Sequence, residues 1–454
     1  MGLSCLHLAR EISDEVAAVV DGRSVCWLGL GRLVSGALDE LERRGIGPGD
    51  RVAIEPQADL ASFVWMHAAL EAGAGLVLIH PHASEAQKAS RVRALAPRWV
   101  LPSALPAPAR LRRSRRIDPE LPLAFAFTSG TTGEAKAAIL SRRAMGAAAA
   151  ASAARLGWRT DDRWLLSLPP AHVGGLSVLV RCLDGRKPVV LGGSRFSVGH
   201  LQRTVAQHRV TLLSLVPTML HRLLEAGWRA PAHVRVVLVG GAALSAASLR
   251  RARRAGLPVA PTYGLTETCA QVATQWPPRP GAADVGAPLT GVEVRLRGGR
   301  IQVRGPTLMT GYVGHPSPLT ADGFFETGDL GRFDDEGHLT VLGRHDDVLV
   351  SGGENVHPAV VEEALSAARG VREVVVFGVA DPEWGQRVAA AVVSELPSDA
   401  LREALRAASA SLSRHERPRY VCRVRELPLL PSGKPDRGAI ARQASGRLEP
   451  MGGS

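Results

Sequence analysis

The segment from Thr128 to Lys136 combines residue types that bind phosphate groups. It follows the apolar run 121–127 and reads Thr-Ser-Gly-Thr-Thr-Gly-Glu-Ala-Lys. Glycines let backbone N–H groups approach phosphate oxygens, hydroxyls add donors, and the lysine adds a mobile positive charge. The spacing differs from the GxxxxGK[ST] nucleotide-binding loop, and the alternative is a glycine-rich surface turn. The density of donors favours phosphate binding by Thr128, Ser129, Gly130, Thr131, Thr132, Gly133 and Lys136.

A second motif combines glycines, an aromatic ring and a carboxylate. Residues 261–268 read Pro-Thr-Tyr-Gly-Leu-Thr-Glu-Thr, and Gly240, Gly241 and Ala242 precede them in the chain. Tyr263 can stack on a flat ring where glycines permit close contact. Glu267 is a hard oxygen ligand that suits Mg²⁺. Alone this motif is weak evidence, because Tyr-Gly is common in turns.

Two further motifs present an aspartate and a lysine in turns. Asp329 ends Thr-Gly-Asp, and its carboxylate could accept both hydroxyls of a ribose, with Arg344 nearby in sequence. The alternative is an ordinary aspartate turn and a surface ion pair, which contributes little. Lys434 ends the turn 428–434. In isolation it is more simply read as a solvated lysine.

Lysine is scarce in this chain. Of 55 basic residues only four are lysine: Lys88, Lys136, Lys187 and Lys434. Lys136 and Lys434 both lie in the motifs described above. Because arginine serves almost everywhere else, a compact and flexible ammonium is indicated at these two positions.

The elements that must position these residues alternate between strands and helices, which predicts a layered α/β architecture with largely parallel sheets. Predicted strands are 51–54, 164–168, 189–191, 212–216 and 234–239, and predicted helices are 30–43, 143–155 and 218–226, with a helix–strand pair in 63–79. After Gly281 short strands at 293–297, 300–304 and 338–342 indicate a β-rich subdomain. A final α+β unit is predicted from a helix at 358–368, a strand at 373–379 and a helix at 400–413.

Composition excludes several classes of protein. No apolar run reaches the roughly 18 residues of a membrane span, and acidic residues appear too early for a secretory signal. Five scattered cysteines without CxxC spacing indicate a reduced, cytoplasmic setting. The net charge is +12, but aromatic residues make up only 4% and the basic residues are dispersed. We therefore expect no nucleic-acid partner, and we interpret the cluster 110–116 as a solvated surface loop.

Taken together and in this order, the four motifs resemble the adenylate-forming superfamily of acyl-CoA synthetases, firefly luciferase and peptide-synthetase adenylation domains. The resemblance covers nearly the whole chain. It implies a large N-terminal domain, residues 1–342, made of layered α/β sheets and the β-rich subdomain. It also implies a small mobile α+β lid, residues 343–454, that turns about a hinge near Asp346. ATP, Mg²⁺ and a carboxylic acid would bind between them.

The resemblance also assigns residues to parts of the nucleotide. It implies that residues 128–136 surround the β- and γ-phosphates of ATP and that Lys434 bridges the acid and the α-phosphate. Thr266 and Glu267 would lie near the α-phosphate and Mg²⁺. The adenine and ribose contacts implied are Gly240, Gly241, Ala242, Thr262, Tyr263, Asp329 and Arg344.

Coenzyme A is the implied acyl acceptor. Residues 352–358, Gly-Gly-Glu-Asn-Val-His-Pro, and 381–386, Asp-Pro-Glu-Trp-Gly-Gln, are similar to CoA ligases. Gly352 and Gly353 suit a backbone that lines a narrow pantetheine tunnel, and Trp384 suits a contact with CoA. Simple packing is an equally good interpretation of Trp384.

Among CoA ligases, residues 168–177, 216–220 and 263–274 resemble the o-succinylbenzoate–CoA ligases of menaquinone biosynthesis. Ala135 and Ala171 depart from that pattern, and Ala171 leaves the acid itself open. His172 would lie where the tunnel meets the acyl pocket, or else be a packed histidine. Gln271 and Arg181 are the candidate substrate residues. The alternative for Arg181 is a helix residue whose guanidinium reaches solvent.

The predicted reaction is attack of a carboxylate on the α-phosphorus of ATP, followed by transfer of the acyl group to CoA. Positioned cations and donors can supply most of this catalysis, so no side-chain nucleophile is needed. The alternatives are another aryl- or medium-chain acid–CoA ligase, an adenylation domain that loads a carrier protein, and a non-enzymatic sensor of acyl-nucleotides. The sequence leaves open whether the chain forms a homo-oligomer.

Overall fold

The computed structural model describes residues 3–128, 136–193, 196–429, 435–444 and 446–452. Within these ranges the helices are α1 Cys5–Glu11, α2 Trp27–Arg43, α3 Leu60–Ala72, α4 Glu85–Leu95, α5 Arg142–Leu156, α6 Val173–Asp184, α7 Val198–Gln207, α8 Pro217–Glu225, α9 Ala246–Arg254, α10 Pro358–Ser366, α11 Ser398–Ala408 and α12 Arg437–Ala444. The strands are β1 Val16–Val20, β2 Arg23–Cys26, β3 Arg51–Ile54, β4 Gly75–Leu78, β5 Trp99–Val100, β6 Pro122–Phe127, β7 Ala137–Ser141, β8 Trp164–Leu166, β9 Val189–Leu191, β10 Leu212–Leu215, β11 Val236–Val239, β12 Val259–Leu265, β13 Ala270–Thr274, β14 Glu293–Arg297, β15 Arg300–Arg304, β16 Gly311–Tyr312, β17 Phe325–Phe333, β18 Leu339–Arg344, β19 Leu349–Ser351, β20 Glu354–Val356, β21 Val371–Asp381, β22 Gly385–Ser394, β23 Tyr420–Val424 and β24 Glu449–Pro450.

Two mixed sheets form the larger part of the molecule. One has eight strands in the order β13-β12-β11-β10-β8-β9-β1-β2, and the other has six in the order β16-β7-β6-β4-β3-β5. The inner strands of each are parallel, and antiparallel pairs close one or both edges. Strands β4, β10 and β11 are buried along their whole length. Such continuous apolar runs are expected where helices cover both faces of a parallel sheet, so the predicted α/β class is confirmed.

A separate four-stranded antiparallel sheet, β14-β15-β17-β18, begins after β13, and β16 of the six-stranded sheet lies between β15 and β17 in the chain. It corresponds to the predicted β-rich subdomain. Strands β17 and β18 pair so that Asp329 lies opposite Arg344. This register brings together two residues that are fifteen positions apart in sequence.

The C-terminal unit, which we define as residues 349–452, has its own sheet and its own cores. Strand β22 is central: β19, β21 and β23 all pair with it. The two apolar clusters of this unit contain residues from Leu349 to Met451 and none from the larger part. Helix α11 ends at Ala408 rather than at the predicted residue 413. Arg417 donates to the carbonyls of Ala410 and Leu412, which satisfies acceptors that a longer helix would have used.

Polar contacts join the C-terminal unit to the larger part. Both carboxylate oxygens of Glu363 on α10 accept from Ala246 N, the first residue of α9, at 3.0 and 2.8 Å. A carboxylate is favoured at this place because the free N–H groups of a helix N-terminus carry partial positive charge. Arg372 also lies 3.7 Å from Glu225 on α8.

None of the helices in the described ranges combines the length and the apolar character that crossing a bilayer requires.

Candidate active site

The glycine-rich segment connects β6 and β7, which are antiparallel neighbours. Thr128 N donates to Lys136 O at 2.9 Å, so the two ends of the segment are held together. The Lys136 ammonium lies 5.5 Å from the centre of the Tyr312 ring. The predicted phosphate-binding residues between these ends, Ser129, Gly130, Thr131, Thr132 and Gly133, lie outside the described residues.

Glu267 lies in a 3₁₀ turn directly after β12 and is fixed on two sides. Tyr312 donates its hydroxyl to Glu267 Oε1 at 2.7 Å, and Met309 N donates to the Glu267 carbonyl at 2.8 Å. Burial and the neighbouring Glu267 raise the pKa of Tyr312, so the phenol remains a donor at neutral pH. Tyr312 therefore contacts both the Glu267 carboxylate and the lysine that ends the glycine-rich segment.

Tyr312 is a residue that the sequence motifs missed. The available signal was composition: the chain has only three tyrosines, and two of them donate to candidate site carboxylates. Tyr312 reaches Glu267 because β16 pairs with β7, with Gly311 opposite Ile139. That pairing spans more than 170 residues of sequence, so no local pattern could reveal it.

A second carboxylate, that of Asp329, is held in place by Tyr263 and Arg344. Tyr263 donates to Asp329 Oδ2 at 2.7 Å, and Arg344 Nη1 lies 3.4 Å from Asp329 Oδ1 and donates to Thr327 O at 3.0 Å. Burial and Asp329 raise the pKa of Tyr263. Gly328 has φ +74, and a Cβ there would lie 2.9 Å from an Arg344 nitrogen. Glycine at this turn therefore lets the guanidinium approach the backbone.

Gly240 and Gly241 follow β11, and the absence of a side chain at Gly240 lets the backbone there approach strand β12 closely. A Cβ on Gly240 would lie 2.6 Å from Thr262 Cγ2. Thr262 itself donates to Ala273 O at 2.8 Å across the β12–β13 pair. Gly241 has φ +84, and the half-buried Ala242 follows it. The predicted adenine-framing residues are thus brought to one end of neighbouring strands.

Gln271 lies on β13 beside these threonines and is only 3% exposed. Its Nε2 donates to Thr274 Oγ1 at 2.6 Å. Its Oε1 is buried and accepts no hydrogen bond from the described part of the chain. A buried amide oxygen without a donor is costly, so this atom is available to a ligand N–H or O–H.

A cavity of about 240 Å³ opens where strands of both sheets end. Its lining comes from the residues that follow β3, β4, β8, β9 and β10, together with α7, α8 and Leu429 of the C-terminal unit. Ligands of α/β proteins bind at the carboxyl ends of strands. The lining is mainly apolar, and its polar residues are Gln57, His80, His82, Ser167, Ser197, His200, Thr204, Thr218 and Arg222.

His172 lies at the edge of this cavity, because its ring centre is 4.8 Å from that of His80. His80 Nδ1 accepts from His82 N at 3.1 Å. Burial, His82 and Arg91 lower the pKa of His80, so its imidazole is neutral at neutral pH. His172 precedes α6 as its N-terminal flanking residue. The structure therefore brings the predicted His172 to a pocket that is lined by three other histidines, His80, His82 and His200.

Arg181 on α6 is buried, with only 3% exposure, and does not line the cavity. Its guanidinium carbon lies 5.3 Å from the centre of the Trp164 ring. Burial lowers its pKa to about 10, so it stays charged at neutral pH. Within the described ranges it pairs with no carboxylate, and its buried Nε has no acceptor. The alternative that its guanidinium reaches solvent is therefore wrong.

The predicted CoA residues lie apart from the nucleotide group, in the C-terminal unit. Gly352 N donates to Trp384 O at 3.0 Å, and a Cβ on Gly352 would lie 2.6 Å from the Trp384 ring. Arg387 stacks over the same ring at 4.8 Å. Trp384 therefore packs on its own turn, and a contact with CoA stays a prediction. Gly353 has φ +85 and open space where a Cβ would lie.

Lys434 and Thr266 are the remaining predicted site residues. Lys434 lies outside the described residues, although Leu429, five positions earlier, lines the cavity. Thr266 begins the 3₁₀ turn that carries Glu267.

In the described ranges a cluster of three metal-ligating side chains occurs at Asp334, Glu336 and His338. Arg279 already pairs with Asp334 and Glu336, and Glu267 does not belong to this cluster.

Comparison with known proteins agrees with this geometry. The family model described as AMP-binding enzyme matches residues 100–313, and the model described as AMP-binding enzyme C-terminal domain matches residues 360–434. A 2-succinylbenzoate–CoA ligase from Listeria monocytogenes is 34% identical over 328 residues, which are 70% of this chain and 69% of that protein.

A second relative and a solved structure extend the comparison. The 2-succinylbenzoate–CoA ligase of Bacillus pumilus is 38% identical over 286 residues, which are 59% of this chain and 58% of the relative. The match therefore spans less than two thirds of that protein's length. The o-succinylbenzoate CoA synthetase of Bacillus subtilis, solved with its acyl-adenylate intermediate, superposes with a TM-score of 0.88 at 28% identity, and the alignment covers 97% of this chain and 98% of that one.

Proposed function

This chain belongs to the AMP-binding enzyme family, and from that premise we propose that it is an ATP-dependent carboxylate–CoA ligase. We propose that it converts o-succinylbenzoate to o-succinylbenzoyl-CoA through an acyl-adenylate and releases pyrophosphate and AMP. Relatives with that name and a solved synthetase that binds the corresponding acyl-adenylate support this choice.

The observation that carries the proposal is the pair of tyrosine-bound carboxylates. Tyr263 fixes Asp329 and Tyr312 fixes Glu267, each at 2.7 Å. A carboxylate accepts hydrogen bonds only, so Asp329 is suited to the two hydroxyls of a ribose. Glu267, which has Tyr312 as a neighbour in common with Lys136, is suited to a divalent cation near the phosphates.

The first half-reaction needs positioned charge rather than a nucleophilic side chain. A carboxylate oxygen of the acid attacks the α-phosphorus, the bond to the β-phosphate oxygen breaks, and pyrophosphate leaves. Negative charge on the phosphate oxygens is stabilised by the donors of the glycine-rich segment, by Lys136 and by Lys434. Mg²⁺ held by Glu267 would neutralise phosphate charge.

The second half-reaction transfers the acyl group. We propose that the lid turns about Asp346, which withdraws Lys434 and brings Gly352 and Gly353 toward the cavity. The sulfur of CoA attacks the acyl carbonyl, the bond from the carbonyl carbon to the phosphate oxygen breaks, and AMP leaves. The mainly apolar cavity beside His80 and His172 suits the arrival of an uncharged pantetheine arm.

The acid carries a second carboxylate that is not activated. We propose that Arg181 neutralises it, since this arginine is buried, charged and without a carboxylate partner in the described ranges. The free Oε1 of Gln271 supports a further ligand contact near the nucleotide. A cytoplasmic location is proposed because ATP and CoA are the co-substrates and all five cysteines are free thiols.

A panel of acids tests the proposal. The protein is incubated with ATP, Mg²⁺ and each acid, with and without CoA, while pyrophosphate and the thioester are measured. We expect one equivalent of pyrophosphate without CoA and continuous turnover with CoA, fastest for o-succinylbenzoate. A preference for another acid would identify a different CoA ligase, and release that never depends on CoA would favour a carrier-protein ligase. Absence of pyrophosphate with every acid would favour a sensor.

Two matched variants control this assay. Glu267→Gln removes the charge that is held by Tyr312, and we expect it to abolish pyrophosphate release. Glu336→Gln makes the same chemical change at an exposed carboxylate paired with Arg279 and is expected to leave the reaction unchanged.

A further inference from the structure

The arginine-rich segment 107–116 lies against helix α2 and is fixed there by its backbone. Ala109 N donates to Arg32 O at 2.9 Å, and Arg112 N donates to Ser35 Oγ at 3.1 Å. A Cβ on Gly36 would lie 1.9 Å from Ala107 O, so glycine is required for this approach. The arginines are largely exposed, as predicted, but the segment that presents them is not a free loop.

On one face of the segment, the charges of the arginines are neutralised by carboxylates of helix α2. Arg112 Nη1 lies 3.0 Å from Asp39 on α2, and Arg112 also pairs with Glu42. Arg115 lies 3.3 Å from the same Glu42. The hydrogen bond from Arg112 holds the pKa of Glu42 below its usual value. Helix α2 therefore supplies carboxylates for these two arginines.

The other face is a concavity with positive charge only. Its volume is about 660 Å³, and it is lined by Arg10, Arg32, Arg110 and Arg113, with Pro108 and Leu111. Among the described residues no carboxylate pairs with any of these four arginines. Arg10 is held in place by donating to Leu111 O at 3.3 Å and to Arg112 O at 3.2 Å. The charges are thus arranged by the fold and left unbalanced.

Four guanidinium groups around one concavity repel each other unless an anion lies among them. Guanidinium groups match phosphate oxygens with paired hydrogen bonds. We propose that this arginine cavity is a binding site for a small molecule that carries two or more phosphate charges. None of its lining residues belongs to the candidate active site, so this is a second site. It does not depend on the proposed function.

The shape of the site favours a small ligand over a polymer. The four arginines surround a concavity instead of forming a stripe along one element, as a nucleic-acid backbone would require. Among the residues that the structure describes, no aromatic side chain lines it, and these residues therefore offer no stacking platform for bases.

Calorimetric titration of the full chain with inorganic pyrophosphate tests this site. The double variant Arg110→Gln with Arg113→Gln removes two charges from the cavity. The control, Arg115→Gln with Arg116→Gln, removes two charges from the same segment outside the cavity. We expect the first variant to bind one equivalent of pyrophosphate fewer than the wild type, while the control keeps the wild-type number. Pyrophosphate bound at the candidate active site adds equally to all three proteins, so the difference is read independently of it.

Several outcomes would overturn the proposal. Equal weakening in both double variants would mean diffuse attraction, and an unchanged stoichiometry in the cavity variant would remove the site. Co-sedimentation with phosphatidylglycerol vesicles, compared with phosphatidylcholine vesicles, provides a further arm. Vesicle binding that is lost in the cavity variant, without a change in pyrophosphate binding, would assign the arginines to a lipid surface. Thermal unfolding and ligase activity, expected to be unchanged in both variants, show that each protein is folded.

Discussion

Two tyrosines of this chain make the same kind of contact at different ends of the candidate site. In each case a phenol with a raised pKa, buried for Tyr263 and half-buried for Tyr312, donates to one oxygen of a carboxylate and leaves the other oxygen for another partner. The carboxylates Asp329 and Glu267 were identifiable from their motifs. The tyrosine partner of Glu267 was not, because only the long-range pairing of β16 with β7 creates that contact.

The variant Tyr312→Phe should separate two roles of Tyr312: its hydroxyl orients Glu267, and its ring packs near Lys136. The ring under Lys136 remains, but the hydrogen bond of 2.7 Å to Glu267 is lost. A hydrogen bond to a charged group contributes about 1.5–3 kcal/mol, so we expect kcat/KM to fall at least about tenfold and the Mg²⁺ concentration for half-maximal rate to rise. Steady-state kinetics over a Mg²⁺ series measures both. Tyr420→Phe on β23 is the matched control, and an unchanged Mg²⁺ requirement in Tyr312→Phe would contradict the orienting role.

Arg181→Ala should discriminate between acids. If the buried guanidinium pairs with the spare carboxylate, its removal should weaken use of the dianionic acid by about 2–3 kcal/mol, the scale of a lost charge-assisted hydrogen bond. A monoanionic analogue without that carboxylate should change far less. Comparison of kcat/KM for both acids in wild type and variant decides this. Equal losses on both acids, or none, would remove Arg181 from the substrate site and leave it as a packing partner of Trp164.

At the scale of elements, helix α3 is buried almost all round. Every residue from Ser62 to Glu71 is buried, so the helix has no polar face to place in solvent. His67 is only 4% exposed, its ring contacts Phe63 at 4.4 Å, and neither ring nitrogen has a hydrogen-bond partner among the described residues. Burial lowers the pKa of His67 to about 4.

This histidine makes the fold sensitive to acid. Between its unfolded value near 6.5 and the folded value of about 4, the unfolded chain binds a proton that the folded chain does not, so stability falls as pH decreases through that range. The shift corresponds to roughly 3 kcal/mol at most. His67→Met should flatten the dependence of the free energy of unfolding on pH between 4 and 6.5. The comparison uses the difference between variant and wild type, because buried Glu71 has a raised pKa and acts in the opposite direction. Parallel curves for the two proteins would contradict the assignment.

The sequence predicted the bounds of short strands best, both in a continuous apolar run such as β9 and in an alternating pattern such as β14. Strands β3, β9, β14 and β15 have the predicted bounds. It missed the β1–β2 hairpin and the short helix α9, whose nine residues include four arginines and only two buried side chains. An apolar pattern that sparse does not reveal a helix. Antiparallel edges were also missed, since strand direction depends on long-range pairing instead of local pattern.

At the scale of the whole molecule, the proposed lid should make the two half-reactions separable. Lys434→Ala removes the lysine that is proposed to bridge the acid and the α-phosphate. If it acts as one preorganised donor, adenylation should lose about 3–4 kcal/mol of transition-state stabilisation. Thioester formation from supplied acyl-adenylate should stay largely intact. Single-turnover assays of each half measure this, and an equal loss in both halves would argue against a moving lid.

Asp346→Pro should give the complementary result. Asp346 lies between the end of β18 at Arg344 and the start of β19 at Leu349. Proline fixes φ near −65°, which should prevent the backbone rotation proposed at this hinge. We expect acyl-adenylate and pyrophosphate to form, while acyl transfer to CoA fails. Asp347→Pro, one residue further, is not expected to reproduce this division, and a variant that transfers the acyl group normally would exclude Asp346 as the hinge.

The carboxylate of Glu363 completes the N-terminus of a helix that belongs to the other part of the molecule. A contact of this kind contributes about 0.3–1 kcal/mol at an exposed position and up to about 2 kcal/mol where it is partly buried, as it is here, and it is screened by salt. That range corresponds to a change of about twofold to thirtyfold in the ratio of the two proposed lid positions, so the contact would favour one position over the other. The occupancy of the two positions should therefore shift with ionic strength, and dilute buffer should hold more molecules with α9 covered than concentrated salt does.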